Sequence, residues 1–454
     1  MAKIKSKYVC QTCGYESAGY LGKCPECGAW SSFVEEISDS EMKKSVAEVL
    51  DKTPPMLLSE IEMNSEIRST TGISEFDRVL GGGIVQGSLV LIAGDPGIGK
   101  STILLQTSGK LCDNNKKVLY VSAEESASQI KLRAERLGVK SNNLYIYPQT
   151  NFELIKKYIE EMKPDLVIVD SIQAIYTSTI QSSAGSVSQI RECCNALMGL
   201  AKTNNVSIIV IGHVTKEGNI AGPKVLEHMV DTVIQFEGDK YKTYRILRSI
   251  KNRFGNTSEV GIFEMGAKGL SEVINPSELF LKEYNQTQTP GSTIIVTSEG
   301  TRPLLVEIQA LVGTTPYPTP RRVANGVDVS RVLQILAVLE KRIGLNLSKQ
   351  DVYVNVIGGI DVSEPAADLG IALAIITCVR DVVFDSHTAI VGEIGLSGEI
   401  RAVNHIDKRI TEAQKLGFKR IIIPAANEIQ EKLEGIEILK VQRIIEAITR
   451  AVTK

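Results

Sequence analysis

The sequence predicts a multidomain α/β protein: a small cysteine-rich ribbon, a central domain with a doubly wound, mostly parallel sheet, and a C-terminal α+β domain. Two CxxC pairs lie between residues 10 and 27, and a glycine-rich loop at 94–101 separates an apolar run from a helical one. Between 57 and 269, runs rich in Val and Ile alternate with helical patterns. Such near-continuous apolar strands indicate a parallel sheet that is buried on both faces.

Length and composition indicate a soluble chain of several domains. Its 454 residues exceed one ordinary domain, and 43% hydrophobic with 23% charged residues is usual for globular proteins. The net charge of −2 disfavours a uniformly basic nucleic-acid coat but allows a local basic groove. The N-terminus lacks the apolar core of a signal peptide, and the apolar run at 369–379 is too short to span a bilayer. We therefore expect a cytoplasmic protein with no membrane partner, whose cysteines are reduced or bind metal.

The first predicted element is a metal-binding ribbon at 1–34. Cys10-x-x-Cys13 and Cys24-x-x-Cys27 each aim two sulfurs at one ion, and four thiolates complete a tetrahedral zinc site with no open position. A segment of about thirty residues builds no sizeable core, so the bound Zn²⁺ is predicted to hold the fold. A redox dithiol is the alternative, but one pair would suffice for it. We expect the aromatic side chains of this segment to pack around the ribbon, with an aromatic nucleic-acid surface as the alternative: Tyr8, Tyr15, Tyr20 and Trp30.

An acidic and polar linker at 35–55 precedes a nucleotide-binding domain predicted at 56–272. The loop at 94–101 matches the P-loop pattern G-x-x-x-x-G-K-[ST] at every fixed position. Backbone N–H groups of such a loop wrap around phosphates at the positive end of the following helix. Lys100 is expected to contact the β- and γ-phosphates of a nucleoside triphosphate, and the Ser101 hydroxyl to ligate Mg²⁺. The predicted nucleotide-binding residues of this loop are Gly94, Asp95, Pro96, Gly97, Ile98, Gly99, Lys100, Ser101 and Thr102.

Carboxylates follow two of the apolar strands. The strand at 166–170 ends in Asp170, which is expected to hold Mg²⁺ through water, opposite Ser101. The strand after the P-loop helix leads into 122–125, where Glu124 is the first candidate to polarise the attacking water and Glu125 the second. Both positions lie at the carboxyl edge of the sheet, where ligands bind in such folds. The alternative is that the two glutamates cap the helix beginning near Ser126.

A histidine and a basic segment complete this domain. His213 follows the strand at 208–211 and suits a sensor of the γ-phosphate, although a structural histidine explains the position equally well. The segment 241–253 interleaves tyrosines with basic residues and ends in the motif Lys251-Asn-Arg253-Phe-Gly255. A solvated hairpin face is the alternative explanation for its charge.

The C-terminal domain is predicted at 273–454. Extended segments are expected at 292–297, 304–311 and 352–357, helices at 331–343 and 366–379, and a final strand at 420–424. This order of elements favours a separate α+β domain. Four basic residues supply either a basic track or an ordinary solvated surface: Arg302, Arg321, Arg322 and Lys341.

The order of motifs resembles the bacterial RadA (Sms) family of RecA-like recombination ATPases. The Cys₄ ribbon is followed by Thr71-Gly-Ile-Ser-Glu-Phe-Asp77, by Gly81-Gly-Gly83 and the P-loop, by the motif at 251–255, and by a Lon-protease-like segment at 392–401. The resemblance covers essentially the whole chain. It implies a RecA-like ATPase core and a Lon-protease-like domain of the ribosomal S5 domain 2 type at the C-terminus.

The resemblance also implies a function. It implies a DNA-dependent ATPase of DNA repair and recombination, a homohexameric ring that hydrolyses ATP and drives branch migration on single-stranded and branched DNA. The RecA recombinase is the implied partner, and the similarity of the ring to replicative helicases implies work at forks. DNA contacts are expected in the ring channel, from the loops at 173–189 and 216–224.

Individual residues receive roles from the same resemblance. Glu124 matches the general-base glutamate of RecA-like ATPases, and His213 falls where these proteins keep a γ-phosphate sensor. Lys251 and Arg253 match a pair that reaches the ATP of the neighbouring subunit. Cations placed in this way neutralise charge on the transferring phosphoryl group, which is the role of an arginine finger.

Proteolysis is not expected, although a Lon-like domain suggests a Ser–Lys peptidase. Such a dyad needs a nucleophilic hydroxyl and a neutral lysine within hydrogen-bond reach. Where the serine motif should lie the chain has Ala366 and Ala367, and Asp407 stands at the lysine position, one residue before Lys408. An ATP-dependent protease or chaperone and a KaiC-like regulatory ATPase without DNA activity are the rival hypotheses.

Overall fold

The computed structural model describes residues 5–10, 13–30, 32–38, 57, 68–213, 225–238, 244–281, 289–358, 360–430 and 435–451. The chain divides into two compact units, one with the described residues up to Glu272 and one with those from Val273 onward. None of the helices in the described ranges combines the length and the apolar character needed to cross a bilayer.

The N-terminal ribbon is a three-stranded antiparallel sheet of order β2-β1-β3. Its strands are β1 Lys5–Cys10, β2 Glu16–Ser17 and β3 Phe33–Ser38. Each CxxC pair turns back on itself, since the Gly14 and Gly28 amides donate to the carbonyl oxygens of Cys10 and Cys24 at 2.8 and 2.9 Å. Tyr8, Tyr15 and Tyr20 make edge-on ring contacts within the ribbon. The predicted packing of Trp30 is wrong, because its side chain is 73% exposed beside the Lys23 ammonium.

A nine-stranded sheet forms the centre of the first unit, in the order β14-β13-β12-β11-β6-β10-β9-β7-β8. The six strands from β11 to β8 are parallel, and β12 to β14 add an antiparallel extension. The strands are β6 Leu89–Gly94, β7 Val118–Ser122, β8 Leu144–Pro148, β9 Leu166–Asp170, β10 Ser207–His213, β11 Thr232–Gly238, β12 Tyr244–Asn252, β13 Val260–Gly266 and β14 Gly269–Glu272. A short pair, β4 Arg68–Ser69 and β5 Ile84–Val85, precedes them.

Helices cover both faces of this sheet, as a doubly wound fold requires. Along β6, Val90 and Ile92 join one apolar core while Leu89 and Leu91 join the other. Successive residues of a strand point to opposite faces, so every position of a strand buried on both sides must be apolar. The helices are α1 Ser74–Leu80, α2 Lys100–Asp113, α3 Ala127–Arg136, α4 Phe152–Met162, α5 Val187–Asn204 and α6 Val225–Met229.

The second unit contains a seven-stranded mixed sheet of order β17-β18-β16-β15-β19-β22-β23. Its strands are β15 Ser292–Glu299, β16 Arg302–Thr314, β17 Arg322–Asn325, β18 Gln350–Val356, β19 Thr388–Ile390, β22 Arg420–Pro424 and β23 Glu437–Val441, and β20 Glu393–Ile394 pairs separately with β21 Ile400–Arg401. The helices are α7 Pro276–Phe280, α8 Val329–Val338, α9 Asp368–Arg380, α10 Ile406–Lys415 and α11 Ile444–Ala451, with a π-helical turn Leu339–Ile343 and a 3-10 turn Pro365–Ala367.

Two details of this unit differ from the sequence prediction. The helix expected at 331–343 begins two residues earlier, because Asp328 caps it by accepting from the Arg331 amide at 2.9 Å. The strand at 420–424 is not the last, since β23 pairs with it in parallel. At the outer edge of the sheet β23 is only partly buried, so its mixed composition gives little strand signal.

Candidate nucleotide site and metal centre

The P-loop joins β6 to α2 and leaves room beside its backbone. Gly97 and Gly99 have φ angles of +77° and +121°, a region that favours glycine. A Cβ placed at Gly97 would meet no atom within 4 Å, so the loop has an open side there. This is the shape that a phosphate group needs when it approaches backbone N–H donors.

Lys100, the first residue of α2, is turned back onto this loop. Its side chain is buried, and Nζ donates to the carbonyl oxygens of Gly94 at 2.6 Å and Asp95 at 2.8 Å. Burial lowers the pKa of Lys100, while the charges of Asp170, Asp95 and Glu124 act to raise it. The lysine therefore lies among the carboxylates that the sequence assigns to the same site.

Asp170 ends β9 beside the end of β7, where it is paired in register with Ser122. Its Oδ2 atom accepts a hydrogen bond of 2.6 Å from the Tyr120 hydroxyl, which comes from β7. Burial and the Asp170 charge raise the pKa of Tyr120 well above its ordinary value, so the phenol stays protonated and donates. Tyr120 was not singled out from the sequence, because a tyrosine inside an apolar run is indistinguishable from a core residue.

The two candidate glutamates have different surroundings. The Ser171 hydroxyl donates to Oε1 of Glu124, which places this carboxylate at the end of β9. Glu125 instead forms an ion pair with Arg133 of α3. Neither glutamate caps α3, since Ser126 is the N-cap and forms a capping box with Gln129. Of the two glutamates, Glu124 is therefore the one held at the end of β9, by the residue that follows Asp170 in the chain.

His213 is the last residue of β10, and its backbone is in register with Gly94 at the start of the P-loop. His213 thus lies at the edge of the sheet where the nucleotide is expected. The imidazole and the loop at 214–224, which includes the DNA candidate 216–224, lie outside the described residues.

The other DNA candidate, the loop at 173–189, is held by two buried or half-buried side chains. The Gln189 amide nitrogen donates to the carbonyl oxygens of Thr177 at 3.1 Å and Ser182 at 2.9 Å. The Glu153 carboxylate accepts from the Thr177 hydroxyl at 2.7 Å and from the Ser178 amide at 3.0 Å. These bonds fix the backbone of the loop at both sides of residue 178.

Lys251 and Arg253 make contacts within their own chain. The Lys251 ammonium donates to the carbonyl oxygens of Glu227 at 2.7 Å and Val230 at 2.8 Å, at the C-terminal end of α6. Arg253 pairs with the buried Asp231 at 3.2 Å, yet its own side chain is 56% exposed. The guanidinium is thus held by one ion pair and remains accessible from solvent.

The four N-terminal cysteines form a cluster that fits one metal ion. All four sulfurs lie within 4.8 Å of one another, with 3.7 Å from Cys10 to Cys27 and 3.5 Å from Cys13 to Cys24. A tetrahedral zinc site with bonds of about 2.3 Å has sulfur–sulfur edges of about 3.8 Å. Burial raises the pKa of the Cys13 and Cys27 thiols. A bound cation offsets that penalty by stabilising the thiolates.

Removing the metal is expected to unfold the ribbon. Among the described residues, its buried apolar cluster consists of Cys10, Cys24 and Phe33, which is small, whereas structural zinc supplies about 10–16 kcal/mol to small finger peptides. The Cys13→Ala variant should lose the bound zinc, measured by atomic absorption, and should lose the resistance of the ribbon to a protease. Cys378→Ala, which changes a cysteine outside the ribbon, should keep both properties. Full zinc content in Cys13→Ala would contradict the site.

The segment in which the resemblance would place a peptidase serine carries alanines instead. Ala366 and Ala367 are buried, and the nearby Glu364 pairs with the fully buried Arg409. Arg302, expected on a basic track, is also buried and donates to the Ile274 carbonyl at 2.7 Å, so that part of the expectation is wrong.

Comparisons with known families agree with this organisation. Residues 58–219 match the family described as AAA domain, residues 8–35 the rubredoxin metal binding domain, and residues 327–427 subunit ChlI of Mg-chelatase. The chain therefore combines a cysteine zinc ribbon, a RecA-like P-loop ATPase domain and a C-terminal domain of the ChlI and Lon-like type.

Full-length relatives carry the assignment further. The chain is 52% identical over 457 residues to the DNA repair protein RadA of Bacillus subtilis, covering 99% of both chains. It is 52% identical to that of Listeria monocytogenes, again over 99% of both chains. It is 53% identical to that of Streptococcus pyogenes serotype M6, over 96% of this chain and 95% of the relative. The chain belongs to the RadA family of DNA repair proteins.

Proposed function

We propose that this chain is a DNA-dependent ATPase of recombinational repair, a homohexameric ring that drives branch migration alongside the RecA recombinase in the cytoplasm. The observation that carries the proposal is the convergence of Lys100, Asp170 and Glu124 at one edge of a parallel sheet, beside an open glycine loop. The relatives, which are named as DNA repair proteins, support the cellular role. The expected boundary between ribbon and linker at 34 is too early, because the third strand of the ribbon runs to Ser38 and pairs with β1. The domains proposed are therefore the zinc ribbon up to Ser38, a linker up to 55, the ATPase 56–272 and a non-proteolytic Lon-like domain 273–454.

Mg²⁺ fits the residues at this edge. The ion prefers a few hard oxygen ligands and keeps several waters. Ser101, in the first turn of α2, offers a hydroxyl, and Asp170, at the end of β9, offers a carboxylate whose charge acts on the Lys100 ammonium. When bound, the ion would neutralise charge on the β- and γ-phosphates. Ser101 and Asp170 are therefore the residues assigned to hold it.

Glu124 and His213 complete the catalytic assignment within one subunit. Glu124 would orient and polarise the attacking water, and its bond from Ser171 restricts the carboxylate to the end of β9. His213 would sense the γ-phosphate from the end of β10, opposite Gly94. A change in its position on hydrolysis would reach the loop that follows, one of the two DNA candidates.

Lys251 and Arg253 are assigned to the ATP of the next subunit. Arg253 is accessible to solvent. The carboxylate of its partner Asp231 also accepts hydrogen bonds from the Lys202 ammonium and from the Leu89 amide, each at 3.1 Å. Asp231 thus keeps two donors when Arg253 turns away toward a neighbour. The site is complete only at a head-to-tail interface, which closes into a ring.

Stimulation by DNA is the test of this proposal. We expect the steady-state ATPase rate to rise several-fold with single-stranded DNA at low salt and to fall back as salt increases, because the contacts are to phosphates. On forked DNA with ATP and Mg²⁺, a branch-migration assay should yield exchanged strands. An ATPase rate that does not change when DNA is added would favour a KaiC-like regulatory ATPase. ATP-dependent cleavage of casein would favour the protease hypothesis.

A further inference from the structure

The Tyr120 hydroxyl is the feature of the nucleotide site that the proposed roles leave unexplained. Tyr120 lies on β7 within the apolar core, with 1% of its side chain exposed. A phenylalanine would fill the same apolar space, and a buried hydroxyl is costly unless it is hydrogen-bonded. Here the hydroxyl has one partner among the described residues, the Asp170 carboxylate at 2.6 Å. The buried hydroxyl therefore serves to hydrogen-bond a residue of the nucleotide site.

The bond constrains the carboxylate in a defined way. Oδ2 of Asp170 accepts from Tyr120, and within the described residues no other hydrogen bond reaches this side chain. One oxygen, Oδ1, is left for an ion or for the water bound to it.

We propose that Tyr120 is a positioning residue for the magnesium site: its hydroxyl fixes the rotamer of Asp170 and leaves Oδ1 available to the ion. The inference rests on the proposed function, in which Asp170 holds Mg²⁺. Metal-ligating carboxylates in proteins are commonly hydrogen-bonded by such outer partners, and loss of the partner costs about 10–100-fold in metal affinity or activity. Tyr120 touches neither the nucleotide nor the ion and acts through Asp170.

The Tyr120→Phe variant tests this role by its magnesium dependence. Binding of a fluorescent ATP analogue is titrated with Mg²⁺, and we expect the half-saturating concentration to rise about tenfold or more. Binding of the analogue without Mg²⁺ should not change. The ATPase rate should recover when Mg²⁺ is raised, since Asp170 itself is intact. Tyr145→Phe is the matched control, because Tyr145 lies on the adjacent strand β8 with 41% of its side chain exposed.

A second measurement separates positioning from packing. ATP binding raises the unfolding temperature, and this rise is measured at increasing Mg²⁺ concentrations. Each variant is compared with its own unfolding temperature without nucleotide. A general loss of stability in a variant therefore does not hide the effect. In an Asp170→Asn background, Tyr120→Phe should add no further change in magnesium dependence. An additive change would overturn the inference, because it would show that Tyr120 acts without Asp170.

The outcomes distinguish this inference from the proposed function. Suppose that the unchanged protein binds ATP and needs Mg²⁺ to do so. If Tyr120→Phe then shows the same magnesium dependence, the role of Tyr120 is overturned and the proposed function is not. A wild-type chain whose nucleotide binding ignores Mg²⁺ would overturn the magnesium site itself, and the inference with it.

Discussion

The Lys100→Ala variant is expected to lose ATP hydrolysis by about 10²–10³-fold or more, the effect of removing one preorganised charge from a phosphoryl-transfer site. The lysine is buried against the P-loop and lies among three carboxylates. Its ammonium is therefore a large local positive charge at the place where the γ-phosphate is expected. Phosphate release measured at saturating ATP and Mg²⁺ reports the loss directly.

The same variant should also bind nucleotide more weakly, because the ammonium contacts phosphates in the ground state as well. Lys131→Ala is the matched control, since it removes an exposed lysine of α3 that pairs with Glu135 at the surface, at 3.5 Å. That control should retain the wild-type rate. Hydrolysis at the wild-type rate in Lys100→Ala would mean that the P-loop is not the catalytic site.

The sequence predicted the fold most accurately where one physical requirement dominates. A strand such as β6, buried on both faces, needs apolar residues at every position, and the P-loop needs glycines at fixed places for its backbone. The cysteine spacing is equally constrained by one ion. Edge elements such as β23 carry weaker constraints, so they were missed.

The site was predicted less completely than the fold, for a physical reason. A motif identifies residues that touch a ligand, but not the residues that orient them from another strand. The bond between Tyr120 and Asp170 joins positions fifty residues apart in the sequence and depends on the neighbouring registers of β7 and β9. The ion pair of Arg253 with Asp231 likewise could not be predicted from the sequence, because an aspartate before a strand is an ordinary turn residue.

The Arg253→Ala variant is expected to lower the rate of ATP hydrolysis by about 10³-fold or more while changing nucleotide affinity little, as removal of an arginine finger does. The reason is that the guanidinium would stabilise charge that develops on the neighbour's phosphoryl group only in the transition state. Equal losses of hydrolysis and of binding would contradict a role in trans. Arg248→Ala is the control, because it removes a nearby arginine, on β12, that pairs with Glu237 at 2.9 Å.

Mixing two inactive variants decides whether Arg253 acts in trans. Lys100→Ala keeps an intact finger, and Arg253→Ala keeps an intact P-loop, so a mixed ring contains some interfaces with both. Such interfaces should hydrolyse ATP, and activity should appear on mixing although each variant alone is inactive. If Arg253 instead acted only through its bond to Asp231, inside its own subunit, the mixture would stay inactive, because no subunit would then hold a complete site. Recovery of hydrolysis therefore argues that the in-chain contact seen here is a resting position, which the guanidinium leaves when a neighbour presents its ATP.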